Sequence, residues 1–331
     1  MNRILKVSYG PALLVFLILM ARFTFPNKMT FIIELAIFSI YVMGNNILYG
    51  YLGMVSFGQP FYLGVGAYAT AIFLAHVGTN PLVGMLLSLL MGLVVGLILG
   101  PAFIRLRGDY FALINAATCA IGMFTIEKLL LPITRGDDGL WYRARMSQIP
   151  FVDIRMPDKF FLFALAIFLI VLILYNFMDK SALGSSFRAI RVNESKMKFL
   201  GYDTFKIRWI GFTLASILSA LSGSLYAINF GFVNPSLAEP HRAAEVLVAT
   251  LIGGAGTVFG PFFGTLAFLG IKDLVSQYIA HWELAVGILT LLVLFRFSKG
   301  IWGNTEAIMN EKFGKKRNRS VKKLLTDKAA T

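Results

Sequence analysis

The sequence predicts an all-α polytopic membrane protein of about eight to ten spans, with broken or re-entrant glycine-rich segments among them. Three observations carry that expectation. Hydrophobic residues make up 57% of the 331-residue chain, against about 45–50% in a soluble domain, and mean hydropathy is +0.72. Only 15% of residues are charged, and they cluster in short segments. Between those segments lie apolar runs near the roughly 20 residues that a spanning helix needs.

The first span is expected over Tyr9–Thr24. Arg3 and Lys6 before the run Pro11–Met20 resemble the start of a secretory signal, but Ala21–Pro26 has no small-residue cleavage site, so an uncleaved helix is expected. Further spans follow over Thr30–Tyr49, Gln59–Ala75, Pro81–Ile104, Tyr110–Leu131, Phe160–Phe177 and Trp209–Ile228. The last three are Ala243–Gly254, Gly260–Val275 and Trp282–Phe297, the first two of them short and interrupted by glycine. Residues 1–303 thus form a membrane domain, and 304–331 a basic tail. From Arg296 onward ten Lys/Arg face three acids, the composition of a solvated end near anionic lipid.

The stretch 179–208 is a polar island between two spans, with seven Lys/Arg and three acids. Such a short basic segment belongs on the cytoplasmic side. It predicts a helix over Ser186–Leu200, stopped by Gly201. Phe187, Ile190, Met197 and Leu200 share one broad face with Glu194, beside a stripe containing Arg188 and Arg191. The expected role is a docking surface for a soluble partner. Ten spans place this island, both termini and the Arg105/Arg107 loop inside. The segment 132–159 then falls outside, although it holds five Lys/Arg, offset by four aspartates.

Glycines crowd three places: Gly50–Gly66, the Gly92/Gly96/Gly100 series, and Gly253, Gly254, Gly256, Gly260 and Gly264. Two readings stand side by side, close helix packing and broken helices that line a path. Ionisable groups in or beside spans are Glu34, Asp109, Glu127, Glu245, Asp273 and Glu283. A charge at mid-membrane costs roughly 2.5–3.5 kcal/mol on insertion scales, so such groups sit at span ends or line a cavity able to meet a cationic group.

Several classes are disfavoured. A net charge of +14 suits nucleic-acid binding in a soluble chain, but here the excess lies in loops and tail, so no nucleic-acid partner is expected. Cys119 is the only cysteine, and the three histidines lie far apart, so neither an intramolecular disulfide nor a metal site is expected. No phosphate-binding loop, HExxH or GxSxG motif is present, and neither enzyme activity nor a cofactor is expected.

Six segments carry a resemblance. They are GMVSFGQPFYLGVGAY (53–68), RLRGDYFA (105–112), TRGDDGL (134–140), GSSFRAIRVNE (184–194) with Leu200-Gly201, LIGGAGT with GPFFG (251–264), and FRFSKGIWG (295–303). In this order the chain resembles the permease subunits of branched-chain amino acid ABC importers, in the half of the family with the DGL-type loop. The resemblance implies a fold similar to cobalamin-type importer permeases, in the bacterial inner membrane. It implies three kinds of partner besides lipid: a second permease, two cytoplasmic ATPases and an external solute-binding protein. It makes 179–208 the coupling segment, with Phe187, Arg188, Ile190, Arg191, Glu194, Met197, Leu200 and Gly201 as candidate contacts. Candidates for the translocation path are Glu34, Gly53, Ser56, Phe57, Gly58, Gln59, Glu127, Glu245, Gly253, Gly254 and Gly256. Relatives that carry urea, short amides or other amino acids are the alternative, followed by a self-contained secondary transporter. Gln59-Pro60 and His241-Arg242 depart from the family pattern and bear on the substrate.

Overall fold

The computed structural model describes residues 29–106, 108–147 and 157–276, with 284, 287–288 and 300–304 in addition. Six helices in these residues are long and apolar enough to cross a membrane. The first is α1, Met29–Asn46, which continues as a wide turn of π-helix over Ile47–Tyr51. Next come α2, Gln59–Ile72, and α3, Pro81–Phe103. Helix α4 is Asp109–Phe124, and α5 is Pro157–Lys180. Helix α6, Ala182–Phe199, lies in the polar island, and α7, Thr204–Phe230, follows. Two shorter helices close the described chain, α8 over Arg242–Gly253 and α9 over Gly260–Val275.

Burial sorts these helices into a centre and a rim. In α1 83% of the spanning window is buried and in α7 72%, against 22% in α3. Helix α7 packs on α1, α2 and α3, so it is the axis of the molecule. The reason α3 can be so exposed is in its sequence. Its buried residues are Pro81, Gly84, Ser88, Gly92, Gly96, Gly100 and Phe103, a single narrow stripe at helical spacing. Apart from Pro101 and Ala102, the other faces are Leu, Val, Ile or Met and suit lipid. The helix starts on Asn80, whose side chain accepts the Leu82 N–H at 3.0 Å, with Pro81 in the first turn.

The glycine stripe is used for close approach. A Cβ on Gly92 would lie 2.7 Å from the Ala220 Cβ, and one on Gly96 3.0 Å from the Thr213 Cα, both on α7. Ser216 donates to the Gly92 carbonyl and Ser88 to the Ala220 carbonyl, each at 2.8 Å, so side-chain hydroxyls cross-link the two backbones.

The six spans begin and end within a few residues of those expected for the second to seventh, except that α7 starts five residues earlier, at Thr204. Helices α8 and α9 have 12 and 16 residues. At 1.5 Å per residue they reach about 18 and 24 Å, short of the roughly 30 Å hydrocarbon core. They pack on each other and on α1, joined by the loop Gly254–Phe259. The expected broken pair is therefore two partial helices. The expected first span, most of the tenth and the basic tail lie outside the described residues.

At the end of the bundle away from the island, strand β1 (Leu140–Trp141) pairs antiparallel with β2 (Phe232–Val233) just beyond α7. The chain reaches β1 through a run of left-handed backbone at Arg135, Gly136 and Gly139. At Gly139, with φ 69°, a side chain would also collide with Phe232.

Candidate functional site

The polar island folds onto the bundle. Helix α6 starts on the Ser181 cap and contains a break at Asn193, where φ is −161° and ψ 97°. The Asn193 side chain accepts the Lys196 N–H at 2.9 Å and so caps the second half. Gly201, at φ 85°, ends it: the Tyr202 N–H reaches the Met197 carbonyl at 3.1 Å. The break resets the helical register. Phe187, Ile190 and Met197 are buried, whereas Leu200 is 72% exposed.

The apolar face singled out in the sequence thus packs largely on the bundle. An apolar helix face next to a membrane domain buries itself there first, and Phe187 seats in the space left by Gly211 of α7. What the island presents outward is Val192 and Phe199, 85% and 92% exposed. Glu194 also faces inward. It accepts from Thr204 at 3.1 Å and pairs with Lys198 at 3.3 Å and Arg208 at 3.7 Å. Arg208 in turn donates to the Leu106 carbonyl at 3.3 Å.

The first half of α6 grips the end of α1. Arg188 pairs with Asp179 and lies 5.6 Å from the Tyr51 ring centre, and Tyr51 donates to Asp179 at 2.8 Å. Arg191 donates to the Gly50 carbonyl in the π-turn. Its side chain also fills the space beside Gly53 and Gly256, both at positive φ.

Four residues before Gly50, the fully buried Asn46 joins three elements. Its amide donates to Tyr175 of α5 at 2.8 Å and to the Thr257 carbonyl at 2.9 Å, and its oxygen accepts the Gly256 N–H at 2.8 Å. Asn45 donates to Thr250 of α8 at 2.8 Å. Thus α6, the π-turn of α1 and the loop between the two partial helices form one continuous polar junction.

Ser56–Gln59 sit deeper. Ser56 accepts the Gly58 N–H at 3.3 Å, and the Phe57 carbonyl accepts from Cys119 at 3.3 Å. Gln59 accepts from Ser219 at 2.5 Å, while its amide nitrogen has no partner among the described residues. Gly58 admits the Asn115 side chain, which a Cβ there would strike.

At the opposite end, α1, α7, α8 and α9 enclose a narrow cavity of about 50 Å³, room for a few water molecules. Its charged lining is Glu34, Arg242, Glu245 and Lys272. Lys272 pairs with Glu245 at 3.3 Å, the two side chains being 36% and 13% exposed. The Arg242 Nε donates to the Ser236 carbonyl at 2.9 Å. An outer cleft of about 350 Å³, with Thr30 and Asp273 on its wall, shares Glu34, Leu269 and Lys272 with this cavity. Those three side chains thus border both.

A family model described as branched-chain amino acid transport system / permease component matches residues 28–295. The chain belongs to this family. Several curated relatives are similar to the permease. The high-affinity branched-chain amino acid transport system permease protein LivM of Salmonella typhimurium is 25% identical over 84% of the chain and 70% of its own length. The probable branched-chain amino acid transport permease protein LivM of Methanocaldococcus jannaschii is 23% identical over 76% and 82%. LivH of Escherichia coli, a permease protein of the same kind of system, is 23% identical over 81% and 92%. No solved structure matches the permease.

The residues singled out in the sequence fall into separate groups. Phe187, Ile190 and Met197 lie buried, with Arg188, Arg191 and Glu194 bonding to α1, α5 or α7, and Leu200 stands outside. Glu34 and Glu245 share the charged cavity. Gly53, Gly254 and Gly256 surround the polar junction through their positive φ angles, and Gly253 packs on Gly260 and Gly264. Glu127, in the π-turn Thr125–Leu129 that ends α4, lines neither the cavity nor the cleft. Sequence reasoning missed Asn45 and Asn46, although two adjacent amides inside a span are a costly signal too. It also missed Lys272 as the partner of Glu245, because 27 residues separate the two.

Proposed function

We propose that this permease is the membrane subunit of an ABC importer that carries leucine, isoleucine and valine inward, driven by two separate cytoplasmic ATPases. A second permease completes the membrane pathway, and an external binding protein delivers the solute. In this reading the island 179–208 and both termini are cytoplasmic, and the charged cavity opens outward. The observation that carries it is the seating of α6. A plain connector needs no helix, yet this one is locked to the π-turn of α1 through Arg188 and Arg191 and to α7 through Glu194. It also holds Val192 and Phe199 in solvent. A lever fixed at two points, with apolar side chains on its outer side, suits a soluble motor subunit. The family match and the names of the relatives support the solute class.

The test is uptake by the complete complex in proteoliposomes. ATP-dependent accumulation of labelled leucine, with competition by isoleucine and valine, is expected. Accumulation of urea or a short amide without competition by the three amino acids rejects the solute assignment. Uptake without any ATPase subunit rejects the importer class.

A further inference from the structure

Gly50, Gly53 and Gly256 converge on Arg191 at the island end of the bundle. A Cβ on Gly50, in the π-turn of α1, would collide with the Asn46 Oδ1 and with the Gly256 nitrogen. The π-turn and the loop between α8 and α9 therefore touch backbone to backbone. Arg191 of α6 closes this contact from outside. Its guanidinium donates to the Gly50 carbonyl. A Cβ on Gly256 would meet that same carbonyl oxygen at 2.8 Å and the Arg191 Nη1 at 3.2 Å, and one on Gly53 would meet the Arg191 Cγ at 3.0 Å. The arginine thus fills a niche that only glycines leave open.

The loop Gly254–Phe259 that this contact holds is built as a plug. The Thr257 hydroxyl donates to the Gly254 carbonyl at 2.8 Å and accepts the Gly260 N–H at 3.1 Å, so the loop is stapled to itself and moves as a unit. Asn46 ties it to α1 through Gly256 and Thr257. On its island side lies a cleft of about 450 Å³, bordered by Asp179, Arg188, Gly256, Thr257 and Phe259. Behind it, α8 and α9 run to the outer cavity, which Glu245 and Leu269 line. Glu245 stands eight residues before Gly253, and Leu269 nine after Gly260. About 12–14 Å of helix therefore separates the plug from the cavity.

We propose that the loop Gly254–Phe259 is the inner gate of the permease and that Arg191 is its latch. This inference rests on the importer reading and names the residue through which α6 acts. Arg191 adjoins Val192, which is 85% exposed on the outer side of α6. A motor subunit that shifts α6 by the length of one hydrogen bond, about 3 Å, withdraws the guanidinium from Gly50. One charge-assisted bond to a backbone carbonyl holds the gate, and its loss frees the contact between Gly50 and Gly256. The plug then turns at Gly254, whose φ is 113°, and retreats into the inner cleft. Return of α6 puts the guanidinium back in its niche and shuts the gate. Arg191 is a positioning residue in this scheme: it carries the movement of α6 to the loop and touches neither solute nor nucleotide.

The test uses the complete complex in lipid nanodiscs, with Val258→Cys as a reporter on the loop and Cys119→Ser to remove the native thiol. With binding protein and leucine present, ATP should raise the rate of maleimide modification of the reporter at least fivefold. With Arg191→Met added, the rate should be high with and without ATP. In proteoliposomes, Arg191→Met should lower the leucine moved per ATP hydrolysed at least tenfold. A reporter rate that ATP leaves unchanged overturns the proposal, and so does a rate that ATP raises equally with and without Arg191→Met. Gly256→Ala, which pushes a methyl group onto the Gly50 carbonyl, should mimic Arg191→Met. The two together should lose no more uptake per ATP than either alone. Losses that multiply give Arg191 a separate role at the ATPase surface and overturn the latch. Leucine uptake by the unaltered complex without ATPase subunits removes the importer reading and the latch with it. ATP-driven uptake with any of the overturning results removes the latch alone.

Discussion

Asn46 shows how much one amide can organise. It satisfies Gly256 and Thr257 in the loop and bonds Tyr175 on α5. Asn46→Ala removes three hydrogen bonds and orphans half-buried backbone groups at Gly256 and Thr257. The expected destabilisation is roughly 2–4 kcal/mol, read as a lower unfolding midpoint of the purified permease. Tyr175→Phe removes one bond and should cost about 1 kcal/mol or less. A loss as large as that of Asn46→Ala would show that the loop contacts contribute nothing. Asp203, which caps α7, gives a pH signature. The Lys206 backbone N–H on its carboxylate, helped by the Lys206 side chain, holds it below the usual aspartate range. A depressed pKa adds stability above the unfolded value of about 3.9 and loses it as pH falls through the folded one. Wild-type permease should therefore melt above Asp203→Ala at pH 6, with the gap narrowing as pH falls through the folded pKa. A gap that does not narrow at all on acidification would exclude the charged cap as its source.

Among the elements, α3 and α6 make opposite use of their outward faces. On α3 the outward face is lipid-facing, and the glycine stripe does the joining. Gly92→Leu should force α3 from α7 and lower the melting point. Gly270→Ala on α9, where a Cβ meets nothing within 4 Å, should leave it unchanged or slightly raised. Equal effects of the two would mean that the α3–α7 contact is not close. On α6 the outward residues Val192 and Phe199 touch little of the permease itself. Val192→Asp with Phe199→Asp should leave permease stability unchanged and reduce retention of the ATPase subunits on the purified complex at least fivefold. Full retention would remove α6 as their seat. Sequence alone located both helices, because apolar runs and glycine spacing are local signals. The buried side of α6 was not legible. Helical periodicity marked the face but not what covers it, and the break at Asn193 depends on a cap that competes with an ordinary helical residue.

For the whole molecule, the spans of α1 to α5 and α7 were legible from hydropathy, and the family from six ordered motifs. The convergence of Asn46 with Thr257 and of Glu245 with Lys272 was not, since no local pattern links residues 211 or 27 positions apart. The proposed orientation makes one further prediction. Asp138 and Ser195 are both exposed, at opposite ends of the bundle, and the native Cys119 is buried. In intact cells an impermeant thiol reagent should label Asp138→Cys and leave Ser195→Cys unlabelled until the membrane is opened. The reverse pattern inverts the topology.

The junction at Asn45 and Asn46 also sets a timetable for synthesis. Their partners Thr250 and Thr257 are made 205 and 211 residues later. At about 5–20 residues per second, α1 waits roughly 10–40 s before those partners exist. Until then Asn45 lacks its Thr250 partner and Asn46 has only Tyr175, made 129 residues after it. A nascent chain that stalls before residue 250 therefore holds α1 by one of the four hydrogen bonds that these two amides make in the finished permease.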